Sequence, residues 1–256
     1  MRQLLAFTKK EGMELARTGK LLILTIIFIL FGIMNPAIAK LTPWLMDMVS
    51  DSMEDAGVMV TEVTVDAMTS WTQFYKNVPM ACIIFLLLFG SIVTAEYQKG
   101  TLINMITKGL ERWKVMAAKG LAMTAAWTCG YWLCYGITYG YNAWFWDNKI
   151  ASHLVFAAFC LYLIGVWLIS LLLLMSAVLD SGSGVLAAAG GAFLAVYLVS
   201  LIPAVEKYMP VYLMRASGLL GGIGKSEEYL SAVGVTVVLS ALNFAAAVVC
   251  FNRRNI

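Results

Sequence analysis

Apolar residues do not alternate with polar ones along this chain; they come in long blocks. Residues 21–39, 77–95, 120–146, 154–179, 181–205 and 229–252 contain no Asp, Glu, Lys, Arg or His. Each block has 19 or more residues, and about 20 helical residues cross the hydrocarbon layer of a bilayer. Helices of a soluble domain keep one face for water, and six blocks without such a face do not suit that class. The pattern predicts an all-α membrane protein of one domain over 1–256, with six transmembrane helices near 21–39, 77–95, 120–142, 154–178, 184–205 and 230–251.

The intervals between blocks carry the polar residues. Residues 1–19 mix charges with Leu4, Leu5, Phe7, Met13 and Leu15, which predicts a helix lying at the membrane interface. Residues 40–76 are acidic, and the expectation is a small cap or a mobile loop on the outer side. "DSGSG" at 180–184 reads as a sharp turn. "SLIPAVEKYMPVYLMRASGLLGGIGKSEEY" is half apolar and marked by Pro203 and Pro210. It is too short to cross and return as two full helices, so 206–228 is expected to be an outer re-entrant or interfacial helical segment, with an ordinary loop as the alternative.

Charge adds orientation. The chain is 61% hydrophobic and 13% charged, where soluble domains carry about a quarter charged residues. With the N-terminus inside, twelve of the eighteen Lys and Arg residues fall in 1–20, 96–119, the Asp180 turn and 253–256. Ten of the fifteen acids fall on the other side. The bias places both termini in the cytoplasm of a multi-pass cell-membrane protein. Ala37-Ile38-Ala39 at the end of the first block mimics a signal-peptide cleavage site, but the region before the block is long, and no cleavage is expected. Cys82, Cys129, Cys134, Cys160 and Cys250 all lie inside apolar blocks, without disulfide or metal spacing, and read as small packing residues.

Little here suits catalysis. His153 is the single histidine, at the edge of a block. No nucleophile elbow, metalloprotease helix or carboxylate pair occurs. "GLLGGIGKS" imitates a phosphate-binding loop, but Gly218 to Gly224 is one step too long and no strand precedes it. No catalytic residue and no metal or other cofactor in this chain is expected. Nor does any acid or base fall in mid-membrane, where ion-coupled carriers place one. The deepest polar groups are neutral, among them Thr128, Ser240 and Asn243.

Between the second and third blocks lies "VTAEYQKGTLINMITKGLERWKVMAAKG". Gly100 interrupts the helix, Thr101 is an N-cap candidate, and Leu102, Met105 and Ile106 share one face of a two-turn helix over 100–109. Gly109 is placed to end it in a left-handed conformation. So short a helix is unstable alone in water. Its apolar face is expected in a groove of a soluble partner, with a lipid headgroup surface as the alternative.

Glu96-x-x-x-Gly100-Thr101, the basic and apolar stretch after it, and Arg112 with Lys119 opening the next block resemble the permease subunits of type-2 ATP-binding-cassette (ABC) exporters. The resemblance extends over the chain: "FTKKEGMELARTGK" before the first block, six blocks, and the proline-marked segment between the fifth and sixth. The family often has a proline and a serine where this chain reads "KGLER". The resemblance implies that 100–109 is a coupling helix docking into two separate cytoplasmic ATPase subunits, which bind the ATP and Mg. Glu96, Gly100 and Thr101 would form the bend, Leu102, Met105 and Ile106 the knobs, and Arg112 and Lys119 the flank of the return. It implies a permease dimer, expected to be a homodimer, that transports without being itself an enzyme.

Trp127, Tyr131, Tyr135 and Tyr139 recur every four residues, and with Asn243 they are candidates for a substrate pathway. The plain alternative is interhelical packing, with Gly136 and Gly140 as a small-residue contact face. Spans with few polar groups suit amphipathic peptides as cargo, the alternatives being lipids or hydrophobic drugs. Membrane lipids are expected partners and nucleic acid is not. An ion-coupled carrier and a non-transporting immunity or scaffold protein would share the topology.

Overall fold

The computed structural model describes residues 2–55, 65–107 and 109–254, with side chains for all of these except 2, 49–55 and 103–105. Among the described residues the regular structure is helical and no strand occurs. Nine α-helices follow in order: α1 Arg2–Arg17, α2 Lys20–Asp55, α3 Ala67–Phe89, α4 Thr94–Gln98, α5 Thr101–Thr107, α6 Arg112–Phe145, α7 Leu154–Val178, α8 Gly182–Val199 and α9 Leu230–Arg253. Among the described residues five helical stretches are long and apolar enough to cross a membrane: Lys20–Met48, Ala67–Gln98, Leu154–Val178, Gly182–Val199 and Ser226–Arg253. At 34 residues α6 is also long enough, but its threonines, tyrosines and basic first turns dilute its apolar character.

The expected loop over 40–76 is corrected at both ends. Helix α2 does not stop near residue 39; it runs on to Asp55. Leu41, Trp44, Leu45 and Met48 recur at i, i+3, i+4 and i+7, a helical period that the acidic composition had masked. Helix α3 begins at Ala67, where the Asp66 side chain accepts from Thr69 N at 3.1 Å. Such an N-cap satisfies one of the free amides of the first turn.

Outward faces are apolar, as hydrocarbon solvent requires. Leu22, Ile26, Leu30 and Ile33 are exposed along α2, while Leu24, Phe28 and Phe31 on the same helix are buried. Helices α2, α3 and α6 pack together, α7 packs against α9 and α6, and α8 rests mainly on α7. Close approach of α6 and α7 depends on Gly165, where a Cβ would lie 2.2 Å from the Trp127 ring.

Two prolines lie inside α2, Pro36 and Pro43. Proline has no N–H, so Pro36 leaves the Gly32 carbonyl, four residues earlier, without its helical donor. Thr138 of α6 supplies one: its Oγ1 donates to Gly32 O at 3.1 Å. Asn35 Nδ2 donates to Thr138 Oγ1 at 2.9 Å, and Asn77 Nδ2 of α3 donates to Asn35 Oδ1 at 2.7 Å. A backbone defect in one helix is thereby repaired by a side chain from a second, in a hydrogen-bond chain that reaches a third, as apolar surroundings demand.

After α8 the chain forms three 3₁₀ segments, Glu206–Tyr208, Pro210–Gly221 and Ser226–Tyr229. The middle one is long for its type, which rarely exceeds about four residues. Its sequence fits the three-residue turn: Pro210, Leu213, Ala216 and Leu219 are all buried. In a 3₁₀ helix positions i and i+3 eclipse, so these four form one straight ridge, packed on α7 and α9.

Thr138→Val is expected to destabilise the detergent-solubilised protein by about 1–2 kcal/mol, because two buried polar groups lose a partner. Thr138→Ser keeps the hydroxyl and should cost less. Thermal unfolding of both variants checks this, and an equal loss in the two would remove the hydroxyl from the explanation.

Candidate functional site

The basic segment between α3 and α6 folds as an elbow. The chain leaves α3 at Phe89, forms the short α4, and turns at Gly100, whose φ is +67°. That conformation costs a side-chain-bearing residue about 1–2 kcal/mol, so glycine is the residue that fits. Helix α5 follows, Gly109 is left-handed with φ +89°, and α6 begins at Arg112. Lys108 lies outside the described residues.

Two sequence expectations change here. Thr101 is the first residue of α5, not its N-cap; its Oγ1 donates to Glu96 O at 3.2 Å, closing the end of α4. Two of the three apolar residues expected to share a face of α5 turn towards the bundle. Leu102 is 1% exposed and Ile106 is partly buried, both packed against the protein's own core. The Met105 side chain lies outside the described residues. Apolar side chains beside a large apolar body bury there first, and this anchors the elbow to the bundle.

Under the elbow lies a ring of charge. Lys10 Nζ of α1 is 2.6 Å from Glu96 Oε1, 2.8 Å from Glu14 Oε2 and 3.1 Å from Glu11 Oε1. Lys119 Nζ of α6 is 3.0 Å from Glu11 Oε2 and 2.9 Å from Glu96 Oε2, the latter an ion pair without hydrogen-bond alignment. Glu11 and Glu96 thus each bridge both lysines. Glu11 and Lys119 are each 1% exposed and Glu96 is 6% exposed. Charges so deeply buried persist only when paired. Here the pairs come from three separate elements, α1, α4 and α6.

The carboxylates of Glu11, Glu14 and Glu96 converge within 4.8 Å, a spacing that can hold a metal ion. Lys10 Nζ touches all three and occupies the place a cation would take. Burial alone would lower the pKa of Lys10, but hydrogen bonds to Glu14 and Glu96 and the charges of Glu11 and Glu96 outweigh it and raise the pKa. The hydrogen bond from Lys10 holds Glu14 below the usual carboxylate value. The Lys10 contribution to stability is therefore complete below pH 10.5 and is lost as pH rises through its raised value. That of Glu14 is complete above pH 4.5 and is lost as pH falls through its depressed value.

Arginines gather the remaining chain ends. Arg112 donates to the carbonyls of Asn252, at 3.1 Å, and Arg254, binding the start of α6 to the end of α9. Arg254 pairs with Asp180 and donates to Ala177 O at 3.3 Å and Leu179 O at 3.4 Å. A cation there complements the negative end of α7. Gln98 Nε2 also reaches Asp180 O, at 3.0 Å. Of the sequence candidates, Glu96, Gly100, Thr101, Leu102, Ile106, Arg112 and Lys119 therefore come together at one end of the bundle. Sequence reasoning missed Lys10, Glu11 and Arg254. The signal available was a lone Glu11 on the same helical face as the apolar Leu4, Phe7 and Leu15.

The aromatic candidates lie elsewhere. Trp127 and Tyr131 are buried; Trp127 Nε1 donates to Tyr162 O at 3.2 Å and Tyr131 Oη to Ala158 O at 2.6 Å, both on α7. Trp71, Phe74 and Tyr135 continue the cluster, and Tyr139 is exposed. Asn243 is not among them: its Nδ2 donates to Ser170 Oγ at 3.2 Å, between α9 and α7. In this conformation Trp127 and Tyr131 serve packing, and a path along them would require α3 or α7 to move. Gly136 and Gly140 lie on open surface, with nothing within 4 Å of an added Cβ. Searches against protein-family models and curated proteins find no match to this chain.

Lys119→Met leaves Glu11 and Glu96 with one lysine between them, and a loss of about 3–5 kcal/mol of stability is expected. The pair Glu11→Leu with Lys119→Met removes one charge of each sign and keeps Lys10 with Glu96, so it should cost less than the single change. Denaturant unfolding in detergent measures both; additive losses would show that the two residues do not interact. In a pH series Glu14→Gln should fall less steeply than the unaltered protein below pH 4.5 and match its slope near neutrality.

Proposed function

We propose that this chain is the membrane-spanning subunit of an ATP-driven exporter of the ABC class. In this reading six helices, α2, α3, α6, α7, α8 and α9, cross the cell membrane, with both termini and the elbow in the cytoplasm. Two copies of the chain form the pathway. Two separate ATPase subunits bind ATP and Mg and act on the α5 elbow.

The observation that supports this most is the charge ring, which ties a short cytoplasmic helix to the start of a spanning helix. A force on α5 passes through Leu102 and Ile106 into the bundle, and through Glu96 to Lys10, Glu11 and Lys119. Glu96 sits in the short helix just before the Gly100 turn, so a displacement of α4 reaches the ring directly. The elbow transmits displacement without having to be rigid along its whole length. Because Leu102 faces inward, the partner meets the opposite, exposed side of α5, on which Thr101 and Thr107 lie. Amphipathic peptides are the proposed cargo, since the spans present aromatic and apolar groups with few charges.

Orientation is tested by thiol labelling of right-side-out vesicles in a cysteine-free background. Lys149→Cys should be labelled from outside and Thr107→Cys only after the membrane is opened; the reverse pattern overturns the cytoplasmic elbow. Coupling is tested by co-expressing the chain with ABC ATPase subunits. Thr107→Trp adds bulk on the exposed side of α5, away from Leu102, and its melting is measured beside that of Thr107→Ser to separate a loss of fold from a loss of docking. Retention of the ATPase and ATP-driven peptide movement in proteoliposomes should both fall. Undiminished transport by this variant sinks the docking of α5.

A further inference from the structure

Beside the charge ring lies a cavity of about 480 Å³, walled by α1, the start of α2, the turn after α3, α4 and the start of α5. Its three carboxylates, Glu11, Glu14 and Glu96, are already held by Lys10 and Lys119. Two more lysines, Lys20 and Lys99, line the same space. Among the described residues no carboxylate lies within ion-pairing distance of either. Lys20 is half-buried, rests near the Phe89 ring at 5.8 Å, and feels the like charges of Lys99 and Lys119 as well as the opposite charges of Glu14 and Glu11, which are already ion-paired elsewhere. Three carboxylates therefore face four ammonium groups, and the net excess of one positive charge falls on the side of the two lysines without an ion pair. The first turn of α2 contains no acidic residue, so the positive end of its dipole adds to the same field.

Position narrows the ligand. Lys20 is the first residue of an apolar spanning stretch, and the exposed Leu22, Ile23 and Ile26 follow it directly. The stretch that includes α3 and α4 ends at Gln98, beside Lys99. Both lysines thus stand where apolar helix gives way to polar chain, the level of lipid headgroups in a bilayer. The amphipathic α1 covers the space from the polar side. An anion entering from the membrane would keep its tails against the apolar face of α2 and carry its charge to Lys20 and Lys99.

We propose that this cavity binds the phosphate of an anionic phospholipid headgroup, with Lys20 and Lys99 as its counter-ions and the Ser91 hydroxyl as a hydrogen-bond donor. The bound phosphate neutralises the unpaired ammonium groups and bridges the start of α2 to the elbow. Lipid composition then sets how firmly the elbow is held. The proposal rests on the chain being a membrane protein and not on its being a transporter.

The test uses the full chain purified in neutral detergent. Added phosphatidylglycerol should raise the melting temperature more than phosphatidylcholine does, and native mass spectrometry should show retained phosphatidylglycerol. Lys20→Gln with Lys99→Gln should weaken retention roughly tenfold or more and abolish the difference between the two lipids. Lys20→Arg with Lys99→Arg keeps both charges and should preserve the difference, separating loss of the site from loss of the fold. Inorganic phosphate supplies the same anion without tails; a melting shift equal to that from phosphatidylglycerol would overturn the lipid as the source. No lipid preference in the unaltered chain, or the same preference in the glutamine variant, would overturn the site.

Discussion

Three buried charges, Glu11, Glu96 and Lys119, and the half-buried Lys10 hold one end of this bundle together. None of the three buried ones could remain alone, since an unpaired charge in such surroundings costs several kcal/mol. Their presence therefore constrains three elements at once. Helix α1 must lie across the base of α6, α4 must turn back beneath it, and Gly100 must adopt a positive φ to let α5 leave. Apolar residues of matching volume could provide similar stability. They would not fix the register of three helices as a closed set of ion pairs does, and that is the use such an arrangement serves in the proposed coupling role.

The other end of the bundle is organised by the opposite problem, polar groups that hydrocarbon leaves unsatisfied. Pro36 frees a carbonyl, and Thr138, Asn35 and Asn77 form the chain of hydrogen bonds that begins with it. Trp127 and Tyr131 likewise spend their single donors on backbone carbonyls of α7. These contacts join α2, α3, α6 and α7, while α8 rests mainly on α7 and exposes much of its surface. A helix held on one side is the element a conformational change can displace at least cost. An α8 held on one side, beside the joined α2–α3–α6 group, suits the proposed exporter, which would open by moving some spans against others.

Chain ends follow the same economy of donors. Arg112 and Arg254 donate to the carbonyl ends of α9 and α7. The elbow is thus fastened from two directions, by the charge ring and by the arginine contacts at Asp180. Among the described side chains of α5 the exposed ones are Thr101 and Thr107, while Leu102, one of the knobs suggested by spacing, is buried.

The sequence by itself determined the helical class and the apolar blocks, because hydrocarbon solvent leaves a composition signal in every residue of a span. It also determined the punctuation at Gly100 and Gly109, since few residues other than glycine take a positive φ cheaply. Residues 40–55 were misjudged because acidic composition hid a helical period still present in Leu41, Trp44, Leu45 and Met48. Only the tertiary structure decided which side of α5 is buried, because Leu102 can bury against a partner or against its own bundle with the same local pattern. Only it decided that Glu11 meets Lys119, residues 108 positions apart. Pairing of that kind depends on where α1 docks, and no local spacing carries that information.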